Sequence, residues 1–207
     1  MTHPSSKLTP IAVMVLALLR EGDMHPYEMV RLLRMRRDER LVKITNGTLY
    51  HSVSRLLELG LIAEVGVNRE GNRPERTTYA LAPEGRAALV DWVREELSRA
   101  DRPAQFRVAL AEAHNVDRGD VIDLLRIRRV ALSDEQQLHG SGLREAQEKG
   151  VPAQFLLEVE RQQALLDAEL RWMDSLLTRL EDDAIPWGPA GFTDPDRYSA
   201  HRKAALQ

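Results

Sequence analysis

The chain has 207 residues, 43% of them hydrophobic, which is enough to bury one or two cores, and it contains no cysteine. That composition excludes disulfides, thiolate metal sites and a cysteine nucleophile, and it fits a reducing cytoplasm. The net charge of −3 by itself speaks against a nucleic-acid partner, but ten basic and six acidic residues between Arg31 and Arg76 leave that stretch at +4 and the remainder at −7.

The longest apolar run, Ile11 to Leu19, is too short to span a bilayer, and the first ten residues lack the layout of a signal peptide, so a soluble cytoplasmic protein is expected. Thr9-Pro10 opens the first helix, with threonine as N-cap and proline at the first helical position. Ile11, Val15, Leu18 and Leu19 make its apolar face, and Gly22 ends it. His25-Pro26 starts a second helix whose apolar positions are Tyr27, Met29, Val30 and Leu33, with Arg31, Arg34 and Arg37 as a basic stripe. Asp38 to Thr45 reads as a loop.

Thr45-Asn46-Gly47 precedes a third helix. Its buried stripe is Leu49, Val53, Leu56 and Leu57, and Gly60 stops it. The period then changes to that of strands. Leu61 to Val65 and Thr77 to Leu81 are joined by a polar tip, residues 68–76, that carries Arg69, Arg73 and Arg76. Pro83 opens a fourth helix with Leu89, Val90, Trp92, Val93 and Leu97 as its apolar residues. Helix, helix, helix, hairpin, helix is the order of a winged helix-turn-helix unit, assigned to residues 8–99.

The second half, residues 104–183, reads as helical. A short helix covers Gln105 to Ala113 and a longer one covers Asp117 to about Leu138, weakened at His139-Gly140-Ser141-Gly142. Gly150-Val151-Pro152 breaks the chain, and a long helix runs from Ala153 to Leu180. In it, Val159, Leu166, Met173 and Leu180 repeat every seven residues, as do Leu156, Gln163, Leu170 and Leu177. This heptad seam serves either a dimer or packing against the 117–138 helix of the same chain. Residues 184–207 form a Pro/Gly-rich tail. The fold class is therefore mainly α with a small β-hairpin wing: an N-terminal winged helix-turn-helix plus a C-terminal helical dimerisation region.

With the leucines of the third helix buried, Thr48, His51, Ser52 and Arg55 face outward with Tyr50 at the flank, suited to the hydrogen-bonding edges of a major groove. Asn46 and Gly47 sit at the helix start, where backbone N–H groups and the helix dipole favour a phosphate. Arg69, Arg73 and Arg76 on the hairpin can reach the backbone or minor groove. The expected partner is double-stranded DNA.

No two of the six histidines fall at a metal-ligand spacing, and no nucleophile elbow, phosphate loop or dinucleotide glycine pattern occurs, so neither an enzyme nor a cofactor is expected. A winged helix used for protein contacts without DNA is the alternative. Trp92, Phe106, Phe155 and Trp172 are the aromatics that could line a ligand cavity between the halves, with plain core packing as the competing reading of each.

Several linked motifs here resemble the PadR family of winged-helix transcription regulators. They are His25-Pro26-Tyr27-Glu28 opening helix two, Gly47-Thr48-Leu49-Tyr50 opening the recognition helix, Leu56 through Ile62 leading into the wing, and Tyr79 through Arg86 returning into helix four. The resemblance covers residues 8 to about 97, and Ala82 departs from it where the family often carries a threonine. It implies a homodimer held by helices beyond the wing and a repressor of the larger phenolic-acid-regulator-like subgroup; the heptad seam, through Leu156, Val159, Leu166, Leu170, Met173 and Leu177, supports such a dimer independently, and a twofold dimer calls for an inverted-repeat operator. It also implies release by a small aromatic or drug-like effector.

Overall fold

The computed structural model describes residues 8–68, 76–188 and 204. Helix α1 spans Pro10–Arg20 and begins as its sequence dictates, with the Thr9 hydroxyl accepting from the Ala12 N–H at 3.3 Å. Eight of its eleven residues are buried. Such a helix has no solvent face of any width, so other elements must surround it. Helices α2 (Pro26–Met35), α3 (Asn46–Glu58), α4 (Pro83–Ser98) and α5 (Pro103–Ala111) complete the first half, and α3, α4 and α5 pack directly on α1.

Helix α2 ends earlier than its arginine stripe implies. Met35 is its last residue, Arg37 is left-handed with φ of 59°, and a 3-10 turn covers Asp38–Arg40. The three arginines therefore do not share one helix face. Tyr27 points outward instead of into the core; Pro26, Glu28, Met29, Val30, Leu32 and Leu33 are the buried residues.

The wing is an antiparallel pair, β1 (Ile62–Asn68) and β2 (Arg76–Leu81), with a bulge between Glu64 and Gly66. Met24 extends it from the α1–α2 connection by exchanging both backbone hydrogen bonds with Tyr79, each 3.1 Å. The Leu56–Ile62 motif is a Schellman stop. Gly60 has φ of 68° and donates to the Leu57 carbonyl, and Leu61 donates to the Leu56 carbonyl, with Leu56 and Leu61 both buried.

The second half is an antiparallel helical hairpin of α6 (Arg118–Glu148) and α7 (Leu157–Glu181), with 3-10 turns at Ala113–Asn115 and Ala153–Phe155. Cross-helix pairs fix its direction: Gln136 with Asp167, Arg128 with Glu169, Arg129 with Asp174, and Arg126 with Glu181. Helix α6 runs unbroken through His139-Gly140-Ser141-Gly142, contrary to the expected weakening there. Two glycines cost about 1 kcal/mol each in a helix interior, which packing against α7 outweighs. The break comes at Gly150, where a left-handed residue and the Val151 to Ala146 bond close a second Schellman stop. Leu166, Met173, Leu177 and Leu180 of the heptad seam are buried within the chain. Among the described residues no helix is long and apolar enough to cross a membrane.

Arg128 joins the halves. Its side chain is 1% exposed; it donates to the Arg99 carbonyl at the end of α4 and to Glu169 Oε1 of α7 at 2.7 Å, and stacks 3.6 Å from the centre of the Phe106 ring of α5. A buried guanidinium is tolerated only when paired in this way.

Gly85 explains one motif residue by close approach. A Cβ there would lie 2.0 Å from the Leu61 carbonyl oxygen and 2.9 Å from Leu81 Cδ1. That carbonyl also accepts from the Ala82 N–H, which fixes α4 against the root of the wing. Gly85→Ala is expected to destabilise the fold by about 1–3 kcal/mol although alanine is the better helix former. Denaturant unfolding measures this, and an unchanged or raised midpoint would remove the close approach as the reason for the glycine.

Candidate nucleic-acid interface

Helix α3 is anchored by Leu49, Val53 and Leu56, all buried, with Leu57 half-buried. Each fully buried side chain contributes about 1.5–3 kcal/mol, so the stripe sets the rotation of the helix about its axis. The opposite side is left in solvent: Asn46, Gly47, Thr48, Tyr50, His51, Ser54 and Arg55 are exposed.

The N-terminus of α3 is closed by a capping box. Thr45 Oγ1 accepts from the Thr48 N–H at 3.1 Å and Thr48 Oγ1 accepts from the Thr45 N–H at 3.0 Å. The Thr48 side chain is thus committed to shaping the helix start, and it leaves Asn46 and Gly47 presented in the first turn, where the dipole is positive. Ser52 corrects the outward set expected from the sequence. It is buried, and its hydroxyl donates to the Thr48 carbonyl at 2.9 Å. Ser54, overlooked by the sequence reading, is exposed one turn beyond Tyr50 and donates to the Tyr50 carbonyl at 3.2 Å.

Arg55 pairs with Glu58 at 2.9 Å, with both side chains more than half exposed. An exposed pair of this kind is worth at most about 1 kcal/mol, so the guanidinium is available to a stronger anion. On the wing, Arg76 opens β2, while Arg69 and Arg73 lie outside the described residues.

Of the four aromatics, the fold brings two together. Phe106 and Trp172 meet edge to face with centroids 6.5 Å apart, beside Arg128. Trp92 is buried in α4. Phe155 is exposed in the 3-10 turn before α7, whose first residue is roughly 22 Å from Trp172 along the axis at the rise of an α-helix. No group of three or more His, Asp or Glu among the described residues is placed to hold a metal ion.

Three packed helices, a two-stranded wing and a third helix with one free polar face define a winged helix-turn-helix protein. Residues 15–91 match the model of the Transcriptional regulator PadR-like family. No curated protein sequence matches the chain. Among solved structures, it is similar to Bacillus subtilis PadR in complex with operator DNA, at 16% identity and a TM-score of 0.37 over 82% of this chain and 98% of that one. It is also similar to smu.1604c from Streptococcus mutans UA159 (18% identity, TM-score 0.38, 81% and 98%). The B. subtilis PadR complex with p-coumaric acid gives 16% identity and a TM-score of 0.32 over 87% and 99%.

Thr45→Ala removes one arm of the capping box, and its expected cost is about 1 kcal/mol. Thermal unfolding reads this cost directly. A variant as stable as the parent would show that the Thr48 arm alone holds the helix start.

Proposed function

We propose that the chain is a sequence-specific, cytoplasmic DNA-binding repressor that acts as a homodimer on an inverted-repeat operator and is released by a small aromatic ligand. Residues 8–99 form the DNA-binding domain in this reading, residues 104–183 the dimerisation region, and residues 184–207 a tail. The observation that carries it is the free polar face of α3, opposite the buried Leu49, Val53 and Leu56. In a major groove, Asn46 and Gly47 meet a phosphate, and Tyr50, His51 and Arg55 lie nearest the base edges. Arg69, Arg73 and Arg76 supply backbone contacts from the wing.

Arg55→Ala is expected to lower affinity for operator fragments, isolated by pull-down from genomic DNA, more than for random duplex. A base read by two hydrogen bonds is worth about 1–3 kcal/mol of discrimination. Glu58→Gln should tighten both, because it frees Arg55 and removes a charge that repels phosphate. Gel-shift titration separates the outcomes: equal losses on both duplexes reassign Arg55 to the backbone. Failure to shift any duplex leaves a winged helix that contacts proteins.

The dimer reading has to use surfaces other than the buried part of the seam. Helix α6 exposes Ile127, Val130 and Leu138, and α7 exposes Leu157, Leu165 and Trp172. Large apolar side chains left in water on two long helices support a second copy as their cover. Two recognition helices would then address half-sites about 34 Å apart or a multiple of that.

The same hairpin carries the effector reading. Trp172, half exposed at the edge of the Phe106 ring, offers a stacking face to an aromatic ligand, and such a ligand releases DNA only if it prefers the DNA-incompetent form. Neighbouring residues distinguish the two roles of α7. Leu165→Glu should give a folded monomer in sedimentation, and Leu166→Glu, placed in the core, should unfold the hairpin. A dimeric Leu165→Glu variant would move the interface elsewhere.

A further inference from the structure

The connection from α2 to the recognition helix is braced from behind by the segment between α5 and α6. Arg36, which caps α2, makes a two-pronged pair with Glu21 at the end of α1, at 2.6 and 2.7 Å. Next to Glu21, Arg20 Nη1 donates to Asn115 Oδ1 at 2.5 Å, and Asn115 Nδ2 donates to Glu112 Oε2 at 3.0 Å. Asn115 and Glu112 sit at the 3-10 turn that leads into α6. From α5, Arg107 donates to the Arg40 carbonyl inside the same connection. Through the adjacent residues Arg20 and Glu21, these bonds place the end of α1 between the α2–α3 connection and the start of the helical hairpin, and Arg107 adds a separate tie.

We propose that Glu112 is a positioning residue in a proton-sensitive joint, through which the helical hairpin sets the conformation of the α2–α3 connection and so the placement of the recognition helix. The charged groups around it come from every neighbouring element. Glu21 and Asp38 repel its carboxylate, Arg36 attracts it, and Asn115 donates to it. Arg20 approaches it and lies near Arg86 of α4, while Arg40 faces Asp38. Burial is the largest influence and pushes the Glu112 carboxyl up to about 7, against the Asn115 hydrogen bond and with the help of Asp38 and Glu21. Burial also holds the adjacent His114 below its ordinary value.

The direction of the effect follows from linkage. The closed joint has a carboxyl raised from 4.5 to about 7, so it binds more protons than the open joint between those values. Its stability is greatest below 4.5 and is lost as pH rises through 7. Between pH 6 and pH 8 the open-state carboxyl is ionised throughout and the closed-state one loses its proton. The opening equilibrium should therefore rise about tenfold.

Amide hydrogen exchange across residues 36–45, corrected for intrinsic rates, tests this on the full chain at pH 6 and pH 8. The parent should show the tenfold rise. Glu112→Gln keeps the bond from Asn115 but cannot ionise, so its protection should be the same at pH 6 and pH 8 and no weaker than that of the parent at pH 6. Asn115→Ala cuts the relay and should loosen the segment at both values. Glu145→Gln, on the exposed far end of α6, should behave as the parent does.

A parent without pH dependence, or a Glu112→Gln variant that retains it, overturns the proposal. Its link to the recognition helix rests on the DNA-binding reading and is measured separately, by fluorescence anisotropy with a 20-base-pair duplex. The ratio of affinities at pH 6 and pH 8 should be smaller in Glu112→Gln than in the parent. An equal ratio, with binding intact, overturns the positioning role. Absence of binding in every variant overturns the DNA reading, and the exchange result still decides the joint.

Discussion

Helix α1 must be covered on nearly every side, and the rest of the N-terminal domain is arranged by that requirement. Ile11 through Leu16, Leu18 and Leu19 are all buried, which no single packing partner can accomplish. Helix α3 covers one side, α4 and α5 others, and β2 approaches from the wing. Because α3 spends Leu49, Val53 and Leu56 on that cover, its other face has nothing to pack against. A free polar helix face is thus a consequence of how the core closes, and the proposed DNA contact uses what the core leaves over.

The wing and α4 are held to the same body by backbone contacts, which tolerate few substitutions. Met24 pairs with Tyr79, and Gly85 lets α4 touch the Leu61 carbonyl. The two halves of the chain meet through groups that are costly to bury. Arg128 of α6 is stacked on Phe106 of α5 and bonded to the Arg99 carbonyl at the end of α4, and Arg94 of α4 pairs with Asp120 of α6. Buried charges pair only in one geometry, so they fix the angle between the domain and the hairpin more sharply than apolar contacts could. The Arg20–Asn115–Glu112 relay is a second, smaller attachment between the same bodies. Any signal from α6 and α7 to the recognition helix has these two routes available.

Much of the candidate interface was legible in the sequence because it depends on local rules. An N-cap, a Schellman glycine and a 3.6-residue stripe leave marks at fixed offsets, and they located α1, α3, the wing and α4 to within a few residues. Ser52 was misplaced because periodicity cannot tell a small polar residue on the edge of the buried stripe from one beyond it. In the fold its hydroxyl bonds to the Thr48 carbonyl and needs no water. Tyr27 was misplaced for the opposite reason: an apolar ring at helical spacing was counted as core, yet its side chain lies over the surface beside Arg31.

The sequence by itself determined the order of elements, where the short helices begin and most of each buried face, since these are settled by side chains within one or two turns of one another. Tertiary structure decided what depended on distant partners. Gly140 and Gly142 read as a weak point in α6, but Gln163 of α7 lies beside Gly140 and the helix runs on unbroken. The heptad repeat in α7 was compatible with either a partner chain or its own neighbour; α6 lies alongside and takes Leu166, Met173, Leu177 and Leu180 into the chain's own core. A seven-residue repeat specifies a face and leaves open whose surface will cover it, because burial yields the same free energy whichever chain supplies the apolar atoms.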